Sequence, residues 1–146
     1  MGLDQVAHQG TETLKMENEL KTIIATNSVP AELIVTYDDM HGLWGGTMIM
    51  VHGDGNVERQ TREIGAPEAT IARMQIDERK LIELVQLLVE LQAWEQRIAD
   101  EPPIADESRA QVAITLKEDA SRVWERVNEM VANNRLIQLK TLLENL

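Results

Sequence analysis

Apolar residues along this chain recur with two different periods, and the switches between them divide it into elements. From Glu12 to Thr26, Met16, Leu20, Ile23 and Ile24 fall at i, i+4, i+7 and i+8. That is one face of a helix, supported by an i, i+4 pair of Glu17 and Lys21. Asn27, Ser28 and Pro30 stop it. Between Glu32 and Arg62 the pattern becomes that of strands. Leu33–Tyr37, Thr47–Val51 and Val57–Arg62 are separated first by Asp38, Asp39, Gly42, Gly45 and Gly46, then by Gly53-Asp54-Gly55-Asn56. This spacing predicts a β-meander. The Asp-Gly pair predicts a type I′ turn, which needs positive φ at both central positions. In the second strand Met48, Met50 and His52 face one way, and Thr47, Ile49 and Val51 the other. Both faces are mostly apolar, so the strand is expected to be central and covered on both sides. The third is nearly all polar and suits an exposed edge. Thr70–Ile76 alternates and predicts a short fourth strand.

The longest helical pattern starts at Asp77, an N-cap residue followed by acidic Glu78, and extends to about Ile98. Leu81, Leu84, Leu88, Leu91 and Ile98 form one stripe, and Ile82, Val85 and Val89 a second. The polar line of Glu83, Gln86, Glu90 and Arg97 is narrow, so this helix has apolar surface on more than one side. One flank is expected on the sheet. Ile82, Val85 and Val89 are candidates for a dimer face. Asp100-Glu101-Pro102-Pro103 ends the helix and opens a surface linker to residue 108. Val112–Leu116 reads as a strand, Lys117–Ala120 as a polar turn. Residues 121–131 fit a helix face or the second strand of a hairpin, and the short connection favours the hairpin. After Asn133-Asn134, Arg135–Leu146 reads as a closing helix. Residues 1–11 are expected to be a disordered lead, and 12–146 a single α+β domain. Its antiparallel sheet of five or six strands packs against two or three helices in the order α-β-β-β-(β)-α-β-β-α.

Composition narrows the chemistry. With no Phe, one Tyr and three Trp in 146 residues, the core must come from Leu, Ile, Val and Met. The absence of cysteine excludes disulfides, thiol catalysis and cysteine-ligated metals, and fits a cytoplasmic location. The first residues lack the basic and apolar blocks of a signal peptide, and Leu81–Trp94 is too short and too polar to span a bilayer. The formal charge of −11 is uneven: residues 77–107 carry nine acids against three bases, and 108–146 five against six. A field of this sign repels nucleic-acid phosphates and anionic lipid, so neither nucleic acid nor membrane is expected as a partner. The acidic middle suits solubility, or docking of a basic partner or of the basic quarter of a second copy.

Candidate sites follow from residue type. His41, His52, Asp38, Asp39 and Asp54 carry ligand chemistry suited to zinc, manganese or iron. The spacing of eleven between the two histidines matches no metal signature, however, and a strand of roughly 20 Å would separate them, so no metal or cofactor is expected. Gly42-Leu43-Trp44-Gly45-Gly46 leads into a strand rather than a helix N-terminus, which marks a turn rather than a phosphate loop. Trp44 in that turn either folds back on the core or stands out as a contact residue. Arg59, Arg62 and Arg73 could gather as an anion patch or protect an edge strand. Asp100-Glu101 and Asp106-Glu107 read as solvated carboxylates of the linker, and Trp94 and Trp124 as core. No catalytic set emerges.

In element order, size and acidity the chain resembles the small dimeric chaperones of type III secretion and their bacterial relatives, a likeness of outline rather than of particular residues. The resemblance implies a homodimer acting on other proteins. The expectation is a small cytoplasmic, non-catalytic binding or regulatory module that works through protein–protein contacts. Trp44, His41, His52, Asp54, Arg59 and Arg73 are its candidate contact residues. Two alternatives stand beside it: a small metal-dependent hydrolase or ligand-binding enzyme using His41 or His52 with nearby Asp residues, and an acidic inhibitor that imitates nucleic acid.

Overall fold

A long N-terminal helix, α1 (Gly2–Thr26), leads into a meander of β1 (Ile34–Asp38), β2 (Gly46–His52), β3 (Asn56–Arg62) and β4 (Thr70–Gln75). Helix α2 (Glu78–Leu91), the hairpin β5 (Arg109–Leu116) and β6 (Asp119–Arg126), a short helix α3 (Met130–Asn133) and the closing helix α4 (Leu136–Glu144) follow. The computed structural model describes residues 2–98, 102 and 107–146, so most of the expected linker lies outside them. Among the described residues one antiparallel sheet has the order β4-β3-β2-β1-β5-β6. The fold is α+β in the expected order, with the fourth strand present and residues 119–126 forming the hairpin. No helix among the described residues is long and apolar enough to cross a membrane.

The helices lie on one side of the sheet. Val35, Tyr37, Ile49, Val51, Val57, Val112, Ile114 and Val123 point into them and are buried. The alternate residues Ile34, Thr36, Met48, Met50, Glu58 and Gln60 form a second face that is only part-buried. So β2 is central but not covered on both sides, as its two apolar faces suggested. β3 is not an edge either, because β4 pairs with it from Asn56↔Gln75 to Thr61↔Thr70. The second meander turn also departs from expectation. The N–H of Gly55 donates to the carbonyl of His52, and Gly55 has φ 94° while Asp54 is not in the left-handed region. This is a three-residue connection closed by a left-handed glycine, not a type I′ turn.

Helix α1 begins at Gly2, upstream of the expected start. Nothing between Gly2 and Glu12 breaks a helix outright, since an interior glycine such as Gly10 costs only about 1 kcal/mol. Met16, Leu20 and Ile23 are buried as the periodicity requires, and Glu17 and Lys21 pair at 2.9 Å.

The expected dimer face of α2 does not exist as free surface. Ile82 and Val85 are buried and Val89 is partly buried against the same core. The second apolar flank is absorbed within the chain, because α1 and α4 both pack on α2. A 25-residue α1 supplies the cover that a partner was expected to give.

α2 also stops seven residues early, at Leu91, with Gln92 at φ 49°. Neither proline nor glycine ends it. Ala93 N–H bonds the Leu88 carbonyl, and the Arg135 guanidinium donates to the carbonyls of Leu91 and Gln92, the latter at 3.0 Å. Arg135 thus acts as a C-terminal cap from a distant part of the chain. The turn lets Ala93 and Trp94 bury in the core and brings Gln96 to β6, where its amide bonds both the N–H and the carbonyl of Trp124.

Arg135 is 5% exposed and faces Glu125, 2% exposed, across 3.6 Å. Burial pushes the Glu125 carboxyl above its ordinary range, and the Arg135 charge opposes this only in part. One carboxylate oxygen of Glu125 and Nε of Arg135 make no hydrogen bond. Arg135→Met should therefore cost about 3–5 kcal/mol in urea unfolding followed by circular dichroism. The double variant Glu125→Leu/Arg135→Met should recover most of that loss, though not the cap on α2. The sign with pH is fixed. A carboxyl raised in the folded state contributes stability below its unfolded pKa and loses it as pH rises through the folded value. Arg135→Met should therefore lose stability more steeply than the parent as pH rises from 4.5 toward 7. A flat difference between the two would contradict this account.

Candidate functional site

The loop between β1 and β2 carries the candidate contact residues His41 and Trp44. It is held by backbone and side-chain bonds along its whole length. Asp39 and Thr47 exchange two bonds, Asp39 N–H to the Thr47 carbonyl at 2.9 Å and Thr47 N–H to Asp39 Oδ1 at 2.6 Å. His41 and Gly45 pair through both of their backbone groups. Met40 N–H is held by Asp38 Oδ1 and Leu43 N–H by His41 Nδ1 at 3.0 Å. Arg62 of β3 closes the loop from beside it, donating to the carbonyls of His41 and Gly42 and, through its other nitrogen, to that of Ala66. Gly45, at φ 74°, sits so close to the Arg62 carbonyl that a Cβ would collide with it.

At the tip of this rigid loop, Leu43 is 60% exposed and Trp44 52%. The Trp44 ring lies 6.3 Å from that of His41 and does not reach the core. The neighbouring β3–β4 loop, held by the same guanidinium, exposes Ile64. Large apolar side chains left in water on a fixed scaffold lose little conformational freedom on meeting a partner.

Behind the tip lies a buried polar cluster. Asp39 accepts from the Tyr37 hydroxyl at 2.6 Å and from Lys140 Nζ at 2.8 Å, besides the Thr47 amide. The Lys140 ammonium also lies 5.8 Å from the centre of the Tyr37 ring. Burial, then the hydrogen bond to Asp39, pushes the Tyr37 phenol far above its usual range. A Cβ on Gly46 would strike Asp39, so the carboxylate and the glycine are packed as a unit. With Asp39 holding both the Tyr37 hydroxyl and the Lys140 ammonium, and Tyr37 fully buried, the cluster pins α4 to the β1–β2 hairpin.

The other expected site residues do not assemble. His41 is in the loop and His52 at the far end of the seven-residue β2, roughly 20 Å away. Asp54 caps its own turn through Asn56 N–H and is held below the ordinary carboxylate range mainly by that bond. Among the described residues no three His, Asp or Glu gather with the placement of a metal site. Arg59 faces the helices and donates to the Leu143 carbonyl at the end of α4, whereas Arg62 and Arg73 lie on the opposite sheet face. Arg73 pairs with Glu58 at 3.0 Å, so the three arginines form no anion patch.

Trp124 lies outside the main core, on the far sheet face beneath Arg109 at 3.7 Å and Arg126 at 5.5 Å. Glu107 is no solvated linker carboxylate: it bonds both arginines at 2.8 Å. Asp100, Glu101 and Asp106 lie outside the described residues, as does the side chain of His8.

An open groove of about 640 Å³ lies between α2 and α4, lined by Lys80, Glu83, Leu87, Ile137, Thr141 and Leu142. The depression beside Met50 and His52 is about 250 Å³ and does not include Trp44. In the groove the Thr141 hydroxyl donates to the Ile137 carbonyl at 2.8 Å. No protein-family model and no curated protein sequence matches this chain.

Tyr37 is the single tyrosine, so its titration reads out directly at 295 nm. A phenol whose folded pKa is raised above the unfolded value of 10.0 stabilises the fold below pH 10 and loses that contribution as pH rises further. Phenolate absorbance should therefore appear together with alkaline unfolding, not ahead of it. In Lys140→Met, unfolding and phenolate should both move to lower pH. Ionisation of Tyr37 in a still-folded chain would show that the cluster is open to solvent.

Proposed function

We propose that this chain is a non-catalytic binding module that acts through protein–protein contacts, works in the cytoplasm and associates with itself. The observation that carries this reading is the pre-organised Leu43–Trp44 tip. Tryptophan dominates protein contact energies where a fixed scaffold presents it for burial by a partner. The titratable side chain beside the tip, His41, is engaged at Nδ1 by the Leu43 N–H and so serves the shape of the loop. In a chaperone-like form of this reading, the tip and Ile64 cover an apolar segment of a client. The chain's negative field favours clients with a basic flank. Self-association needs a surface other than α2, whose second flank is closed.

The test is a pair of substitutions at the tip. Leu43→Ser/Trp44→Ser touches no buried atom of the core, so unfolding free energy should stay within about 0.5 kcal/mol of the parent. A partner cross-linked by the parent chain in its native cytoplasm should be lost with the double variant. Once purified, that partner should bind the variant about thirtyfold more weakly, the loss of a ~2 kcal/mol anchor. Equal affinity for parent and variant would overturn the reading.

A further inference from the structure

The sheet ends in two unequal edges. On β6, the backbone of Trp124 is taken by the Gln96 amide at 2.8 and 3.2 Å. On β4, all six residues are exposed, on both faces of the sheet. Ile71 is 51% and Met74 43% exposed. The usual protections of an edge are missing from β4. It has no proline and no bulge, its register with β3 is unbroken, and its one charge, Arg73, is neutralised by Glu58 at 3.0 Å.

Which backbone groups are free follows from the register. Ile76 N–H donates to the Gly55 carbonyl at 2.9 Å, in line with the pairing Asn56↔Gln75 and Val57↔Met74. Antiparallel strands alternate, so Met74, Ala72 and Thr70 turn their amides toward β3. Ile71, Arg73 and Gln75 turn theirs outward.

We propose that this edge pairs with its own copy: two chains join antiparallel through β4, about a two-fold axis at Ala72, into one continuous sheet. This deepens the self-associating part of the proposed function and is independent of the Trp44 tip. The pattern suits a second copy for three reasons. The axis at Ala72 sets the outward groups of Ile71 opposite those of Arg73 in the second copy, and the reverse, so both pairs exchange backbone hydrogen bonds. It overlaps Thr70 to Met74 and puts no like charges opposite each other. The next register, centred on Arg73, would oppose the two arginines. Registers shifted by half a step would set residues of opposite faces against each other. The contact is short and the two chains each carry −11, so the association is weak and tightens as salt screens the repulsion.

The chain has no cysteine, which makes a single Ala72→Cys a clean reporter. At the two-fold axis Ala72 meets its copy in a non-hydrogen-bonded pair, with Cα atoms about 4.5 Å apart, within the range a disulfide spans. Mild oxidation of Ala72→Cys at micromolar concentration should give a covalent dimer at least tenfold faster than Glu68→Cys, an exposed control just before the strand. Sedimentation of charge variants supplies a second readout. Ile71→Glu faces Arg73 of the second copy and should lower the dimer dissociation constant about five- to tenfold, although it adds negative charge overall. Ile71→Lys should raise it by a similar factor, with unchanged circular dichroism in both. A chain that stays at 16.5 kDa at every concentration and salt would overturn the proposal. So would equal oxidation rates, or Ile71→Glu and Ile71→Lys shifting the dissociation constant in the same direction. A dimer that forms this way while the tip variant keeps its partner would retain this inference and remove the Trp44 reading.

Discussion

The Asp39 carboxylate is the constraint on which the rest of this structure turns. It sits 8% exposed where β1 ends, and three donors converge on it from three parts of the chain: Tyr37 on the sheet, the Thr47 amide at the start of β2, and Lys140 on α4. A buried charge is tolerable only when its lone pairs are taken, and this one has little freedom left. The geometry of the hairpin follows from it. With Asp39 fixed against Thr47 and with Gly46 pressed on its oxygens, the loop must leave and re-enter at set points. Arg62 then fixes what remains. Exposure of Leu43 and Trp44 is thus not slack in the loop. It is what is left when Asp39, His41 and Arg62 have bonded the backbone of the loop on either side.

A sheet covered on one face only shapes everything else. Three helices share that face, and they bury one another's second flanks as well as the sheet. That is why α2, greasy on two sides, offers nothing to a partner: α1 takes one flank and α4 the rest. The opposite face is kept in water by alternation. Thr36, Glu58, Gln60 and Gln111 are interspersed with Ile34, Met48 and Met50, and the corner at β6 is held by Arg109, Arg126 and Glu107 around Trp124. Arg62, Arg73, Arg109 and Arg126 of the outer face are spent on local bonds, which explains why they do not combine into a site.

Much of this was legible in sequence, because it depends on local period and local turn chemistry. The alternation of 33–37, 47–51, 57–62 and 70–76 is visible without coordinates, as are the Asp77 cap and the Asn27 stop. What could not be read depends on residues far apart. The end of α2 is set by Arg135, 43 positions beyond Gln92, and no local breaker marks it. The fate of the second flank of α2 depended on where α1 and α4 dock, which no local pattern records. Asp38 and Asp39 stood together in the sequence as turn formers after the Leu33–Tyr37 strand. Nothing there says that Asp39 turns inward or that Lys140 comes to meet it. The error over β3 has a similar cause. A polar strand looks like an edge when its neighbour β4 has few apolar residues of its own, and β4 is as wet as it is because it lies beyond the reach of the helices.

Charge and hydrogen bonding place opposite demands on contact with other molecules. At −11 the chain repels its own kind over distances of a Debye length, about 8 Å at physiological salt. That is enough to keep broad faces apart but too short-ranged to prevent contact at a locally neutral strip. Among the described residues two such strips stand out, and they differ in kind. The Leu43–Trp44 tip offers apolar area on a pre-set loop, a shape suited to a complementary hollow. The β4 edge offers directed backbone groups, suited to an extended strand and little else. A chain that needed solubility alone would have closed the second with a lysine or a proline, as sheet edges commonly are. Its one charge on that strand is instead cancelled from within by Glu58, which leaves the edge open without making it attractive to nucleic acid or lipid.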